Sequence, residues 1–182
     1  MKSKIIILDR DGVINHDSVD YIKSPAEWFP IEGSLEAIAI LNQAGFTVVI
    51  ATNQSGIARG LYDLAAMEAI HLKMQQALFQ VGGKIDKIFY CPHGPLDGCD
   101  CRKPKPGLLT QIAQFYQISL EQVPFVGDSM RDIQAARAGG AKPVLVLSGN
   151  GLETKQRYAE ELVPIPCFQD LLAFAKYFCQ HS

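Results

Sequence analysis

No surplus of either charge runs through this sequence. Its 17 Lys and Arg stand against 19 Asp and Glu, a formal charge of −2, and no basic stripe or tail breaks the balance. A phosphate backbone needs a cationic footprint, so nucleic acid is excluded as the expected partner. Long apolar runs are also missing. None approaches the roughly 20 residues that cross a bilayer, so no membrane partner is expected. The opening Met1-Lys2-Ser3-Lys4 leads into only four apolar residues, Ile5 to Leu8, too few for a secretory signal. A cytoplasmic location is therefore expected. Internal repeats, low-complexity segments and linkers are absent as well, which argues for one domain over residues 1–182. Neither the stretch after Asp11 nor the one after Thr52 exceeds what a helix and its loops consume, so no large cap domain is expected.

What the chain does have is an ordinary soluble composition, 48% apolar and 20% charged. Ile5 to Leu8, Val48 to Ala51, Ile85 to Tyr90, Pro124 to Val126 and Pro143 to Leu147 are short apolar runs without alternation, as strands buried on both faces require. Between them lie helical patterns. Ser34 is placed to cap Leu35–Ala44, and Leu64–Val81, Leu108–Tyr116, Met130–Ala138 and a terminal Phe168–Phe178 follow. Strands alternating with helices predict a single doubly wound α/β domain with a parallel, Rossmann-like sheet. In such a sheet, ligands bind beyond the carboxyl ends of the strands. Asp9, Thr52 and Asp128 all fall there.

Each of these positions opens a polar cluster. In Asp9-Arg10-Asp11-Gly12, two carboxylates two residues apart return to one side of an extended chain. Such a pair repels unless a cation or proton intervenes, and Mg²⁺ is the natural occupant. A plain polar turn would also use Asp and Gly. Thr52-Asn53-Gln54-Ser55-Gly56 offers a hydroxyl, two amides and a glycine that suit phosphate oxygens, although a helix cap would look similar. Arg102-Lys103-Pro104-Lys105-Pro106-Gly107 gathers three cations, a set more often found in solvated turns. Gly127-Asp128-Ser129-Met130-Arg131-Asp132 offers Asp128 as a metal ligand and Asp132 as a brace, against the plain alternative of a helix N-cap.

Of the five cysteines, Cys91, Cys99 and Cys101 sit in one segment with His93. A Cys₃His set matches closed tetrahedral zinc, which has no open position and so reads as structural. The alternative is a loop of free thiols. Cys167 and Cys179 lie apart and read as buried apolar fillers.

Taken together, the acid pair, hydroxyl, lysine and second acid, in this order at strand ends, resemble the four motifs of the haloacid dehalogenase-like phosphatases across essentially the whole chain. The resemblance implies that Asp9 attacks phosphorus and that Asp11 serves as proton donor and acceptor. It implies Mg²⁺ held by Asp9, the backbone carbonyl of Asp11, and Asp128, with Thr52 and Lys103 on the equatorial phosphoryl oxygens. Lys103 is chosen over Lys105 because the related branch carries Arg-Lys-Pro at this point. The zinc loop narrows the resemblance to two groups, the heptose bisphosphate phosphatases and the histidinol phosphatases. Thr52 to Gly60 and Gly127 to Ala136 look more like the first. That likeness implies a sugar bisphosphate as substrate, with loss of the 7-phosphate of D-glycero-D-manno-heptose 1,7-bisphosphate on the way to lipopolysaccharide. Arg102 would then hold the remaining phosphate, Asn53, Gln54 and Ser55 would line the substrate, and Asp17 and Tyr21 would bind sugar hydroxyls. A monomer is expected. Receiver domains of two-component signalling also combine acids, Thr and Lys at strand ends. Asp11, a built-in proton donor for turnover, separates the phosphatase from them.

Overall fold

The apolar runs do assemble into one parallel sheet. The computed structural model describes residues 4–181. Its strands are β1 (Ile5–Leu8), β2 (Thr47–Asn53), β3 (Lys87–Cys91), β4 (Pro124–Gly127), β5 (Lys142–Val146) and β6 (Cys167–Phe168). They run in the order β3-β2-β1-β4-β5-β6, every pair parallel. The chain builds outward from β1 through β2 to β3, then crosses to the other side for β4, β5 and β6. The switch in direction leaves a crevice at the carboxyl end of β1, where doubly wound folds bind ligands.

Helices α1 (Ser34–Gln43), α2 (Leu64–Gln80) and α7 (Leu171–His181) cover one face. Helices α3 (Gly107–Tyr116) and α4 (Met130–Gly139) cover the other. β1 shows why its run cannot alternate with polar residues. Ile6 and Leu8 pack into the first core while Ile5 and Ile7 pack into the second, so a polar residue at any of the four would face a helix. Two short helices, α5 (Gly151–Arg157) and α6 (Ala159–Leu162), follow β5. Between β1 and β2 lie only loops, a 3-10 turn at Pro25–Glu27 and α1; between β2 and β3 lies α2 with its loops. No inserted cap stands above the crevice among the described residues.

Three local expectations are corrected. Ser34 does not cap α1. Gly33, with a left-handed φ of 78°, takes the cap position, and the Ser34 hydroxyl donates instead to the Ile14 carbonyl at 2.6 Å. The terminal helix starts at Leu171, because Phe168 belongs to β6 beside Val146. Cys167 and Cys179 are half-buried at the edges of two apolar clusters rather than sealed inside them.

Candidate active site

A cleft of about 380 Å³ opens where β1, β2 and β4 end, and it is lined by Asp9, Asp11, Thr52, Lys103 and Asp128. Each arrives by a short path. Asp9 follows the last residue of β1, Thr52 is next to last in β2, and Asp128 follows β4. Lys103 is carried in from the loop before α3. Lys103 is 2% exposed; its ammonium forms ion pairs with Asp9 Oδ1 at 2.9 Å and Asp132 Oδ1 at 2.7 Å and donates to the Ala51 carbonyl at 2.9 Å. Lys105 instead reaches out to the Cys99 carbonyl, so the structure places Lys103, and not Lys105, against Asp9.

Asp9, Asp128 and Asp132 bring carboxylate oxygens within 4.8 Å of one another. Asp132 is fixed there from the first turn of α4, its Oδ2 accepting from the backbone N–H and hydroxyl of Ser129 at 3.1 and 2.8 Å. Three carboxylates against one ammonium leave two negative charges in a buried pocket. Burial, and then repulsion from Asp132, push the Asp9 carboxyl up to about 7 against the pull of Lys103. Burial with repulsion from Asp132 and Asp9 pushes Asp128 up to about 8. A divalent, oxygen-loving cation supplies the missing charge, so the residues fit Mg²⁺.

Asp11 faces the same cleft but is balanced separately. Arg10 is 1% exposed, and its fork donates from Nε to Asp11 Oδ1 at 2.9 Å and from Nη2 to Asp11 Oδ2 at 3.2 Å. Asn15 and Gln54 donate to the same carboxylate at 2.9 and 3.0 Å. Burial would raise this carboxyl, but Arg10 and the two amides outweigh it and hold it below the ordinary range. Beneath the fork, Arg10 Nη1 meets His71 Nε2 at 3.1 Å. Asp11 is thus paired with Arg10, separately from the Asp9, Asp128 and Asp132 cluster.

The amides after β2 divide their tasks. Gln54 donates to Thr52 Oγ1 at 2.9 Å and accepts from the Tyr62 hydroxyl at 2.6 Å. Thr52 therefore accepts from Gln54, and its own proton has no acceptor among the described residues. Asn53 lines the cleft but spends its amide on the lysine loop. It donates to the Lys103 carbonyl at 3.1 Å and accepts from the Lys103 N–H at 3.0 Å, so it clamps the lysine loop in place. Ser55 is buried at the cleft wall. Asp17, Tyr21 and Arg102 line the cleft mouth. Arg102 Nη1 donates to the His93 carbonyl at 3.3 Å, and Tyr21 lies 5.9 Å under the Arg59 guanidinium. Arg10, Tyr62, Arg59 and Asn150 are further lining or supporting groups that spacing alone does not single out.

The thiol set also closes. Cys91 Sγ lies 3.6 Å from Cys99 Sγ, 3.0 Å from Cys101 Sγ and 3.5 Å from His93 Nδ1, and His93 Nδ1 lies 3.3 Å from Cys101 Sγ. Metal–sulfur bonds of about 2.3 Å give a tetrahedron with edges of roughly 3.8 Å. The four donors crowd to that scale, and they fit a structural zinc with no open position.

Comparison with known proteins agrees with this chemistry. The profile of the HAD-hydrolase-like family matches residues 100–172. A D-glycero-beta-D-manno-heptose-1,7-bisphosphate 7-phosphatase of Pseudomonas putida is 57% identical over 173 residues, 95% of this chain and 98% of the relative. The protein of the same name from Pseudomonas aeruginosa is 54% identical over 180 residues, 99% of this chain and 100% of the relative. The crystal structure of D,D-heptose 1,7-bisphosphate phosphatase from B. bronchiseptica, complexed with magnesium and phosphate, superposes with a TM-score of 0.93 at 54% identity, covering 98% of this chain and 99% of that one. With that agreement in fold, length and sequence, the chain belongs to the D-glycero-beta-D-manno-heptose-1,7-bisphosphate 7-phosphatase family of haloacid dehalogenase-like hydrolases.

Proposed function

We propose that this chain is a Mg²⁺-dependent phosphatase that removes the 7-phosphate of D-glycero-β-D-manno-heptose 1,7-bisphosphate, a step towards the activated heptose of lipopolysaccharide. The observation that carries this reading is the state of Asp9. Its Oδ1 accepts from the Arg10 N–H at 2.7 Å and forms an ion pair with Lys103 Nζ at 2.9 Å, while its Oδ2 has no partner among the described residues. One carboxylate oxygen is anchored and the other is free to attack phosphorus.

The steps follow from the groups around it. Asp9 Oδ2 forms a bond to phosphorus as the bond to the sugar oxygen breaks, giving an aspartyl phosphate. Asp11 delivers a proton to the departing oxygen, then takes one from the water that hydrolyses the acyl phosphate and frees Asp9. Arg10, Asn15 and Gln54 hold the Asp11 carboxyl low in the resting site, and an arriving phosphate dianion raises its proton affinity, so that it takes up a solvent proton before delivering it to the leaving oxygen. The Thr52 hydroxyl and Lys103 hold the equatorial oxygens, where charge accumulates. Mg²⁺ held by Asp9, the Asp11 backbone carbonyl and Asp128 supplies the charge that lets one anion approach another. Cys91, His93, Cys99 and Cys101 would hold a zinc ion that would fix the neighbouring loop. Arg102 beside it faces the distal phosphate, with Asp17 and Tyr21 towards the sugar and Ser55 at the wall. We also expect the chain to act as a monomer. No helix among the described residues is long and apolar enough to cross a membrane, and we place the chain in the cytoplasm.

Phosphate release with Mg²⁺ tests the reading, comparing both anomers of heptose 1,7-bisphosphate with histidinol phosphate. Strong preference for the β-bisphosphate is expected. Equal or better turnover of histidinol phosphate overturns the substrate assignment and leaves the mechanism standing.

A further inference from the structure

β5 also ends at this crevice, in Ser148-Gly149-Asn150, a segment to which the steps above give no role. The Asn150 backbone N–H donates to Asp128 Oδ2 at 2.8 Å, and its side-chain Nδ2 donates to the same oxygen at 3.2 Å. Nδ2 also donates to Asp17 Oδ2 at 3.3 Å. An amide nitrogen carries two hydrogens, so it can serve both carboxylates at once. Asp128 Oδ2 is thereby occupied, and Oδ1 is left without a partner among the described residues.

The surrounding backbone is shaped to this grip. A Cβ on Gly12 would come within 2.0 Å of Asp128 Oδ2, and one on Gly149 within 2.3 Å, so the carboxylate is held between two glycines. The Ser148 hydroxyl donates to the Gly12 carbonyl at 2.8 Å, and the Thr154 hydroxyl donates to the Asp128 carbonyl at 3.0 Å. The loop after β5 therefore holds the loop after β1 and the acid after β4 together.

On the functional reading above, we propose that Asn150 is a positioning residue whose single amide couples Asp17, on the substrate side, to the orientation of Asp128, on the metal side. It keeps Asp128 Oδ1 turned to the cation shared with Asp9, and it separates two carboxylates that would otherwise repel. Because coupling is reciprocal, a group that engages Asp17 is felt at Asp128.

The test is Mg²⁺ affinity, read from the rise of melting temperature with Mg²⁺ and from calorimetric titration, without substrate. The chains compared are wild type, Asn150→Leu, Asp17→Ala and the double variant. Leucine nearly matches asparagine in shape but cannot donate. Asn150→Leu is expected to weaken Mg²⁺ binding about tenfold, the low end for a group behind a metal ligand. Asp17→Ala is expected to weaken it about threefold alone and not at all in the Asn150→Leu background, the non-additivity of a shared link. Affinity within twofold of wild type for Asn150→Leu overturns the proposal, as does an equal Asp17→Ala effect in both backgrounds. If Asn150→Leu does not fold, Asn150→Ala is read against the same expectations. A wild-type chain that binds no Mg²⁺ overturns the proposal; one that binds Mg²⁺ but releases no phosphate overturns the functional reading alone.

Discussion

The two candidate metal sites adjoin each other but are assembled in opposite ways. The carboxylate site draws Asp9 from the end of β1, Asp128 from the end of β4 and Asp132 from α4, and all three are buried. The thiol site draws its four donors from residues 91–101 of one stretch, only Cys91 being buried. The first exists only once the sheet has formed, and Lys103 offsets only one of its three charges. The second needs little more than a loop and a metal. Damage to the first should therefore fall on chemistry, and damage to the second on how well a loop is held.

The sharpest way to break this contrast is Asp9→Asn. Turnover is expected to fall at least about a thousandfold, as for loss of a nucleophile, with the melting temperature kept or raised because one buried charge is gone. Retained turnover would remove Asp9 from the nucleophile role. On the other side, Cys101→Ser is expected to lower zinc from about one per chain and to cost about ten- to a hundredfold in kcat/KM through misplacement of the adjoining loop. Most of that loss should lie in KM. A full zinc complement with unchanged KM would separate the loop from the cleft.

The buried side can also be probed by pH. Burial, and then the adjacent Arg10, lower the His71 imidazole to about 4. The folded chain then binds fewer protons than the unfolded one between about pH 4 and 6.5, so this share of stability is complete above 6.5 and is lost as pH falls. From the shift, the loss amounts to about 2 kcal/mol at pH 5. His71→Gln should flatten the acid limb of a urea-unfolding series by that amount, and an identical limb would show that His71 carries none of it. The smallest effect sits where the two sites meet. Arg102→Ala should cost about tenfold on a bisphosphate, about 1.4 kcal/mol, and less than twofold on an aryl phosphate. Equal losses on both would remove its part in holding a second phosphate.

The fold was legible because strands buried on two faces leave no choice but continuous apolar runs, as in Ile5 to Leu8. Those runs also located Asp9, Thr52 and Asp128, and the thiol set was legible because its donors are close in sequence. Asn53 was not legible in the same way. Facing a phosphate and clamping a loop 50 residues away use the same amide, and spacing cannot separate them. β6 escaped because two residues carry no period, which let Phe168 be drawn into the helix that follows. Asn150 carries a faint signal, a Ser-Gly-Asn segment directly after the fifth strand, but an uncharged amide alone suggests no chemistry. The pairing of Arg10 with Asp11 likewise depends on a guanidinium folding back on its neighbour, which the order of residues does not dictate.

Cys101 and Lys103 are two residues apart, with Arg102 between them. Two extended residues span at most about 7 Å, so the last thiol ligand and the buried ammonium are tied by a tether with almost no slack. Of the five residues from Gly94 to Gly98, all but Gly94 are exposed, so additional chain can bulge into solvent there at little entropic cost. Insertions should thus be tolerated between His93 and Cys99 and rejected between Cys101 and Lys103, making the loop a ruler that is adjustable at one end only.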